Sequence, residues 1–392
     1  MQPATAFQLF LTSIRRCLLL LPLMLLAACT SVKVSTQDSA EYMNQRRGDI
    51  ISSGRLSQQT VSSLHVVGIE AKTCNRAPKT CLDAISQTKA LNDEQRLSAS
   101  SEIWLMQAME NDRASLADAS PHERKDRRVN RFNSFLESAR HAYAYLFYTD
   151  RSVDRRALED RQNQVRDFYN YASQRAISII SDTAKSRNLR HRQERKHPLK
   201  RLLGHWQIEL DMTGMPEIEG KTAEISGFTP DYRLNFEGLR NQYVQDGLGA
   251  RMVVSIESNT KKTEKNSKET PSALEDILDA PNPEEAGSVQ KPWEPMHYIS
   301  VTGLVRFPGQ TLEEVLATDH VILSAYDTWQ DHDVTIAGHH VPLAANYTAA
   351  YGLWLAKSDF SSQSIFTLFG KGNILEEPRI YLMQPYHPER TT

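Results

Sequence analysis

Hydrophobic positions in the first half of the chain recur at helical spacing. Between about residues 40 and 195, apolar side chains return every three or four positions, which is typical of amphipathic helices. One helix is predicted to begin after an Asn92 or Asp93 cap, because acids follow in the first turn. A second is predicted over Val129–Tyr148 and a third from Val153. Their apolar faces predict a bundle of three antiparallel helices.

The pattern changes to that of strands after Leu202. Alternating or short buried runs lie between proline and glycine turns, which is typical of strands. The predicted strands are His205–Leu210, Tyr232–Phe236, Ala250–Ile256, His297–Phe307, His320–Tyr326 and Asp333–Ala337. One helix, Pro342–Lys357, interrupts this region, with Asn346 as its candidate cap. We therefore predict an α+β fold: an N-terminal helical bundle followed by a mostly antiparallel sheet with one packed helix.

Composition and charge narrow the class of protein only slightly. The 392 residues are 40% hydrophobic and 24% charged, which is ordinary for a chain that buries a core. The formal net charge of −2 gives no reason to expect a nucleic-acid partner.

The first thirty residues carry an export signal. Arg15 and Arg16 precede the apolar run Cys17–Leu26, which is too short to span a bilayer. The string Leu26-Ala27-Ala28-Cys29 follows and resembles the lipobox of bacterial lipoproteins. The resemblance implies cleavage before Cys29 and a diacylglycerol on its sulfur, which anchors the chain to the membrane. Thr30 stands where an aspartate would retain such proteins at the inner membrane, so the resemblance implies an outer-membrane lipoprotein facing the periplasm or the surface. The alternative is a plain secretory signal in which Cys29 is incidental.

Two of the four cysteines remain once Cys17 leaves with the signal peptide and Cys29 takes lipid. Cys74 and Cys81 would lie in an oxidising compartment, where a disulfide is the expected state. Closing this short loop stabilises the fold by roughly 2–3 kcal/mol. A metal site would need two more ligands, and none lies nearby in sequence.

These features divide the chain into four predicted regions. A lipoprotein signal peptide covers 1–28 and a lipidated tether covers 29–40. A helical region with the short disulfide loop covers 41–201, and a β-rich domain covers 202–392. Residues 258–295 are rich in Lys, Glu, Ser, Asn and Pro and predict a disordered insertion within that domain.

Candidate chemistry is sparse. None of the 17 glycines begins a G-x-S-x-G nucleophile motif. His332, His339 and His340, with Asp331 and Asp333, are candidate metal ligands, because Asp and His bind zinc and a hairpin would bring them together. The alternative is a simple hairpin with solvated polar ends, and no cofactor is predicted.

A basic stretch ends the predicted helical region, directly before the β-rich domain. Residues 185–201 carry eight lysines and arginines against Glu194 alone. Such a stretch suits either anionic head groups or a solvated helix end and linker.

Four stretches in order resemble the N-terminal half of bacterial lipoproteins that carry an α/β-hydrolase domain. They are QRRGDI at 45–50, DGLG at 246–249, VPLAANYTAAYGLWLA at 341–356 and RIYLMQPYHPER at 379–390. In that family the last strand and its P-Y-x-P turn lead into the hydrolase, whose His-Gly oxyanion loop and G-x-S-x-G serine come later. The resemblance therefore implies that this chain stops before the catalytic residues.

The expected function is that of a non-catalytic, outer-membrane-anchored accessory module, encoded alone or cut short, whose partner is a hydrolase or another envelope protein. The first alternative is the N-terminal part of a serine ester hydrolase completed by sequence beyond Thr392. The second is a metal-dependent hydrolase using residues 331–340. The third is binding of peptidoglycan or lipopolysaccharide, for which only the basic stretch speaks.

Overall fold

The computed structural model describes residues 33–36, 50–113, 120–185, 199–215, 223–237, 239, 241–258 and 298–357. Within these ranges, helices precede a mixed six-stranded sheet, and the α+β prediction is confirmed. The predicted signal peptide, Cys29, almost all of the predicted insertion and the stretch 379–390 lie outside the described residues.

In the described ranges, seven helices precede the six-stranded sheet along the chain and two follow later. In chain order they are α1 (Ile50–Ser53), α2 (Gln58–Val66), α3 (Ala71–Arg76), α4 (Pro78–Gln87), α5 (Asp93–Arg113), α6 (Pro121–Phe147), α7 (Asp160–Lys185), α8 (Leu312–Ala317) and α9 (Ala349–Lys357). The long helices α5, α6 and α7 pack together as the predicted bundle. Their shared core includes the fully buried rings of Phe132, Phe135, Phe168 and Tyr169.

Local capping explains where two of these helices begin. The Asn92 side-chain oxygen accepts the Gln95 backbone N–H at 2.8 Å, which confirms the predicted asparagine cap of α5. Helix α6 begins at Pro121, eight residues before the predicted start at Val129. Ser120 and Glu123 form a capping box there, and proline suits the first helical position.

The predicted disulfide is confirmed. Cys74 of α3 and Cys81 of α4 are joined by an S–S bond of 2.06 Å, and both side chains are fully buried.

The sheet has the strand order β2-β3-β9-β8-β7-β4. In chain order the strands are β1 (Lys33–Thr36), β2 (Leu199–Leu203), β3 (Trp206–Gly214), β4 (Ala223–Pro230), β5 (Leu234–Glu237), β6 (Val244–Gln245), β7 (Ala250–Ser258), β8 (Tyr298–Arg306), β9 (His320–Asp327), β10 (Asp333–Ile336), β11 (His339–Pro342) and β12 (Ala345–Asn346). Within the six-stranded sheet only β3 and β9 run parallel, so the prediction of a mostly antiparallel sheet holds.

The two faces of this sheet are covered by different layers. On one face, Met252 and Val254 of β7 pack with Ile177 of α7. On the other face, Val253 of the same strand packs with Leu353 of α9. Alternate residues of a strand point to opposite faces, so β7 lies between the helical layer and α9.

Further predicted elements differ from the observed ones. The third helix, predicted from Val153, begins at Asp160, after a 3₁₀ turn over Asp154–Arg156. The helix predicted over Pro342–Lys357 spans only Ala349–Lys357, because residues up to 346 are used in β11 and β12. Asn346 nevertheless caps it, since its side-chain oxygen accepts the Ala349 N–H at 3.0 Å. The strand predicted from Tyr232 begins at Leu234, after a 3₁₀ turn over Asp231–Arg233. Within the predicted tether, Lys33–Thr36 is a strand that pairs antiparallel with β5, so these four residues belong to the fold.

Candidate functional site

Two of the four sequence stretches singled out above, 246–249 and 341–356, lie against each other in space. The Leu248 N–H donates to the Pro342 carbonyl at 2.8 Å, and the Ala344 N–H donates to the Leu248 carbonyl at 2.9 Å. A Cβ on Gly247 would lie 2.5 Å from the Pro342 oxygen and from the Leu343 carbonyl carbon, so only glycine permits this approach. We call residues 246–249 with 341–346 the motif junction.

Helix α7 supplies the hydrogen bonds that the motif junction and the adjoining strand lack. The Asn170 side chain donates to the Gly247 carbonyl at 2.8 Å and accepts the Gly249 N–H at 2.6 Å. The hydroxyl of Tyr169 donates to the Val305 carbonyl at 2.6 Å and accepts the Val305 N–H at 3.0 Å. These consecutive side chains therefore satisfy backbone groups where β7 no longer pairs with β8.

A buried carboxylate ties the same helix to the sheet and to β12. The Asp231 carboxylate accepts from three sides: Arg251 Nε lies 2.8 Å from it, and the Gln174 and Asn346 amides donate to it at 3.1 and 3.0 Å. A buried charge is tolerated when it is paired and hydrogen-bonded in this way. The arrangement indicates a structural role, because the oxygens of Asp231 are already engaged.

A second buried carboxylate lies near the start of α2. Glu102 of α5 is fully buried and accepts the backbone N–H and the hydroxyl of Ser57 at 2.7 and 2.6 Å. The Glu102 carboxylate also accepts the Thr60 hydroxyl at 2.5 Å and the Arg161 guanidinium at 3.2 Å. The carboxylate thus joins α2 to α5 and α7, and its acceptor capacity is filled by these partners.

A surface of aromatic side chains lies on the α9 side of the sheet, where the Ala350 N–H donates to the Ser300 hydroxyl and the Thr302 hydroxyl donates to the Ala344 carbonyl. It consists of the exposed Tyr243, Val244, Trp329 and Tyr351 and the half-buried Tyr347 and Trp354, and we call it the aromatic surface. Tyr243 is 66% exposed, Trp329 56% and Tyr351 48%. The Trp329 and Tyr347 rings lie 5.2 Å apart and those of Tyr351 and Trp354 lie 5.9 Å apart. Grouped exposed apolar side chains mark contact with a partner or a membrane.

The strands β6 and β12 hold the aromatic surface together. The Tyr243 N–H donates to the Thr348 hydroxyl at 2.7 Å, and the Tyr347 N–H donates to the Tyr243 carbonyl at 3.0 Å. Val244 pairs with Asn346 in the same two-stranded ladder. Tyr347, Tyr351 and Trp354 lie within the predicted helix Pro342–Lys357, but the sequence pattern gave no signal that residues 243 and 329 would join them.

Asp327 is two residues before Trp329 of the aromatic surface. Its carboxylate is buried and accepts the Trp329 N–H at 2.9 Å. Burial raises the pKa of Asp327 above its ordinary value, and the Trp329 hydrogen bond opposes that rise only in part.

The candidate metal ligands of the hairpin do not converge. His339 and His340 are neighbours on β11, so their side chains point to opposite sides. His339 Nδ1 lies 3.9 Å from Asp154, which is not a candidate ligand. His340 Nδ1 lies 3.2 Å from the Thr335 hydroxyl and 3.9 Å from Asp333, so two of the candidate ligands approach each other without a third. His332 is exposed outside the hairpin strands. Throughout the part of the chain that the structure describes, no three His, Cys, Asp or Glu side chains form a metal-binding group.

A small cavity of about 190 Å³ lies between α1, α3 and α5. It is lined by Ile50, Gly54, Asn75, Met106, Met109 and Glu110. Glu110 is the ionisable side chain of this lining, and the lining offers no hydroxyl, thiol or imidazole for it to activate, so these residues do not form a nucleophile–base pair.

The remaining candidate residues belong to structure or lie outside the described ranges. The disulfide between Cys74 and Cys81 is buried, which suits a structural bridge. Cys29 lies outside the described residues, as do positions 186–198 of the basic stretch. The helices in the described ranges are all too short or too polar to cross a bilayer.

Comparison with known proteins gives no relative for this chain: no protein-family model, curated protein or solved structure matches it.

Proposed function

We propose that this chain is a lipid-anchored, non-catalytic accessory module of the bacterial outer membrane. The observation that carries the proposal is the ordered signal at the N-terminus. Arg15 and Arg16, the apolar run that follows them, the small residues and Cys29 stand in the order that lipoprotein processing requires. Two or more acyl chains on Cys29 would make the anchoring stable, since each buried CH₂ contributes about 0.8 kcal/mol.

The internal contacts support a role as a scaffold. Asn170, Asp231 and Glu102 use their polar atoms to connect helices, strands and the motif junction. These groups are satisfied by structural partners, whereas a catalytic acid or base needs a free position for substrate. The module would therefore hold its helical layer in a set orientation for a hydrolase or another envelope protein, as the family resemblance implies.

The anchoring part of the proposal is tested with two cysteine variants expressed in a bacterium. Cys29→Ser is expected to abolish the diacylglycerol adduct and move the protein from the membrane fraction to the soluble fraction. Cys17→Ser is the matched control, because it changes a cysteine of the apolar run and should leave lipidation intact. Intact-mass spectrometry and fractionation report both effects. If Cys29→Ser behaves like the wild type in both assays, the anchoring proposal is wrong.

The non-catalytic part is tested with short p-nitrophenyl esters. The purified chain is expected to release no p-nitrophenol above a heat-denatured control and to take up no serine-directed fluorophosphonate. Hydrolysis that the fluorophosphonate blocks would overturn this part and favour a serine ester hydrolase. Hydrolysis that a chelator blocks and zinc restores would favour the metal-dependent alternative.

A further inference from the structure

Only a short connection separates the proposed lipid anchor from the folded part of the chain. Lys33, the first residue of β1, is four positions after Cys29. A fully extended chain rises at most about 3.6 Å per residue, so this connection spans no more than about 14 Å. The inference below rests on the proposed lipidation, because that modification places residue 29 at the bilayer surface.

Strand β1 belongs to the layer on the α9 side of the sheet. It pairs with β5 from Lys33 opposite Glu237 to Thr36 opposite Leu234, and it contacts α9. The Phe236 ring of β5 lies so close to Gly352 of α9 that a Cβ there would be 2.6 Å from it. The connection from residue 29 therefore leads directly to α9 and its neighbours.

The length of this connection decides which side of the protein reaches the membrane. A chain of this size has a radius of gyration of about 20 Å. A connection of about 14 Å cannot reach around such a body, so the layer of β1, β5 and α9 must lie near the bilayer. The helical layer of α5, α6 and α7 covers the opposite face of the sheet and then points away from the membrane.

The chemistry of the near side suits a bilayer interface. Tyrosine and tryptophan concentrate at the level of lipid head groups, because each combines an apolar ring with a polar tip. The aromatic surface presents Tyr243, Trp329 and Tyr351 to solvent on this side. The stretch 341–357, which includes α9, contains no acidic residue, so it brings no repulsion toward anionic head groups.

We propose that the aromatic surface rests in the interfacial region of the bilayer that holds the Cys29 lipid. Helix α9 has nine residues and is too short to span the membrane, so it lies along the interface. Contact through both the lipid and the aromatic surface fixes the orientation of the module. The helical layer is then the part presented to other envelope proteins.

The test uses the full lipidated chain in vesicles of phosphatidylethanolamine and phosphatidylglycerol with brominated acyl chains, which quench nearby tryptophan. The chain has five tryptophans, so a variant that lacks two of them still gives a tryptophan fluorescence signal. Quenching of the wild type is expected to fall at least twofold in the double variant Trp329→Phe/Trp354→Phe. Trp104→Phe is the matched control, because Trp104 packs in the helical layer, and this variant should retain the wild-type quenching.

Two outcomes overturn the proposal. One is wild-type quenching that the double variant retains in full, which would place another tryptophan at the lipid. The other is an anchored protein with no quenching, which would leave the aromatic surface to a protein partner.

A separate measurement distinguishes failure of this inference from failure of the proposed function. Mass spectrometry of the same preparation reports whether Cys29 carries diacylglycerol. If it does not, the proposed function fails, and a maleimide phospholipid coupled to the Cys29 thiol supplies the anchor instead. The quenching comparison then tests the orientation by itself, with the same expected and contrary results.

Discussion

Replacing Gly247 with alanine should push apart the two chain segments, 246–249 and 341–346, that meet in the motif junction. A Cβ at this position would lie 2.5 Å from two backbone atoms of Pro342 and Leu343 and 2.6 Å from the Ala344 nitrogen. Backbone atoms cannot swing aside as a flexible side chain does. Residues 342–344 would therefore have to retreat by about 0.9 Å to restore van der Waals contact at 3.4 Å.

That retreat sets the magnitude of the effect. The hydrogen bonds of Leu248 with Pro342 and with Ala344 are 2.8 and 2.9 Å long, and both would stretch beyond a useful length. Each contributes about 0.5–1.5 kcal/mol, and overpacking costs a further 1–3 kcal/mol or so. Alanine also lowers the conformational entropy of the unfolded chain, which stabilises the fold by about 0.4–1 kcal/mol. We expect Gly247→Ala to lower the free energy of unfolding by about 1–6 kcal/mol, with about 3 kcal/mol at the middle of these ranges.

Urea unfolding followed by tryptophan fluorescence measures this change, and an unchanged m-value shows that the two proteins expose similar surface. Amide hydrogen exchange of Leu248 and Ala344 locates it, because both amides should lose protection while those of α5 keep theirs. Gly338→Ala is the matched control. Gly338 has a φ of +82° and nothing within 4 Å of its added Cβ, so alanine there introduces backbone strain of about 1 kcal/mol without a clash.

The reasoning is refuted if Gly247→Ala changes the free energy of unfolding by less than about 1 kcal/mol. It is also refuted if the Leu248 and Ala344 amides remain protected in the variant. Either result would mean that the close approach at Gly247 contributes little to the motif junction.

Three further predictions concern buried groups. Glu102→Gln should lower the free energy of unfolding by about 3–5 kcal/mol, because it leaves the half-buried Arg161 guanidinium without the fully buried carboxylate that it pairs with. Glu159→Gln, in an exposed ion pair, should change it by less than about 1 kcal/mol. Equal effects in urea unfolding would contradict this prediction. Burial raises the pKa of Asp327, so its contribution to stability is present below the unfolded-state pKa of about 3.9 and is lost as pH rises through the folded-state pKa. Asp327→Asn should therefore gain stability over the wild type as pH is raised, and a constant difference across the unfolding series would argue against it. Replacing Cys74 and Cys81 together with alanine should lower the free energy of unfolding by about 2.5 kcal/mol, because the unfolded chain gains the entropy of the opened loop. A thermal midpoint like that of the wild type would show that the disulfide constrains the unfolded chain little.

The helix ends show how far local patterns reach. Asn92 and Asn346 were predicted as caps and act as caps, because the groups they bind lie within three residues. The start of α6 was misplaced although Ser120 and Glu123 stand at capping-box spacing. That signal was present in the sequence, and the apolar periodicity beginning at Val129 concealed it, because the first turns of α6 are exposed.

The sheet needed information that local patterns do not contain. Strand β4 was missed because Gly227 and Pro230 weaken its strand pattern, and its pairing with β7 compensates. The parallel pairing of β3 with β9 joins residues more than a hundred positions apart, from Gln207 with His320 onward. Such pairing depends on the packing of both faces of the sheet and leaves no trace in the alternation of either strand.

The candidate site divides in the same way. The hairpin of β10 and β11 was predicted and is confirmed. His339 and His340 do not meet at one site, because the side chains of neighbours on a strand point to opposite sides. The aromatic surface was not predicted. It forms only where β6 meets β12 and the turn after β9 comes beside them.

Local structure can be predicted from the sequence because the interacting groups lie within one turn of each other along the chain. Local signals specify the helix caps, the alternation of the strands and the order of charge, apolar run and Cys29, whose lipidation remains a prediction. The motif junction, the partners of Asp231 and Glu102, and the layer that carries β1 depend on segments that meet only after the sheet has formed. Burial decides those contacts, since a carboxylate or a glycine acquires its role from the distant atoms that fold against it.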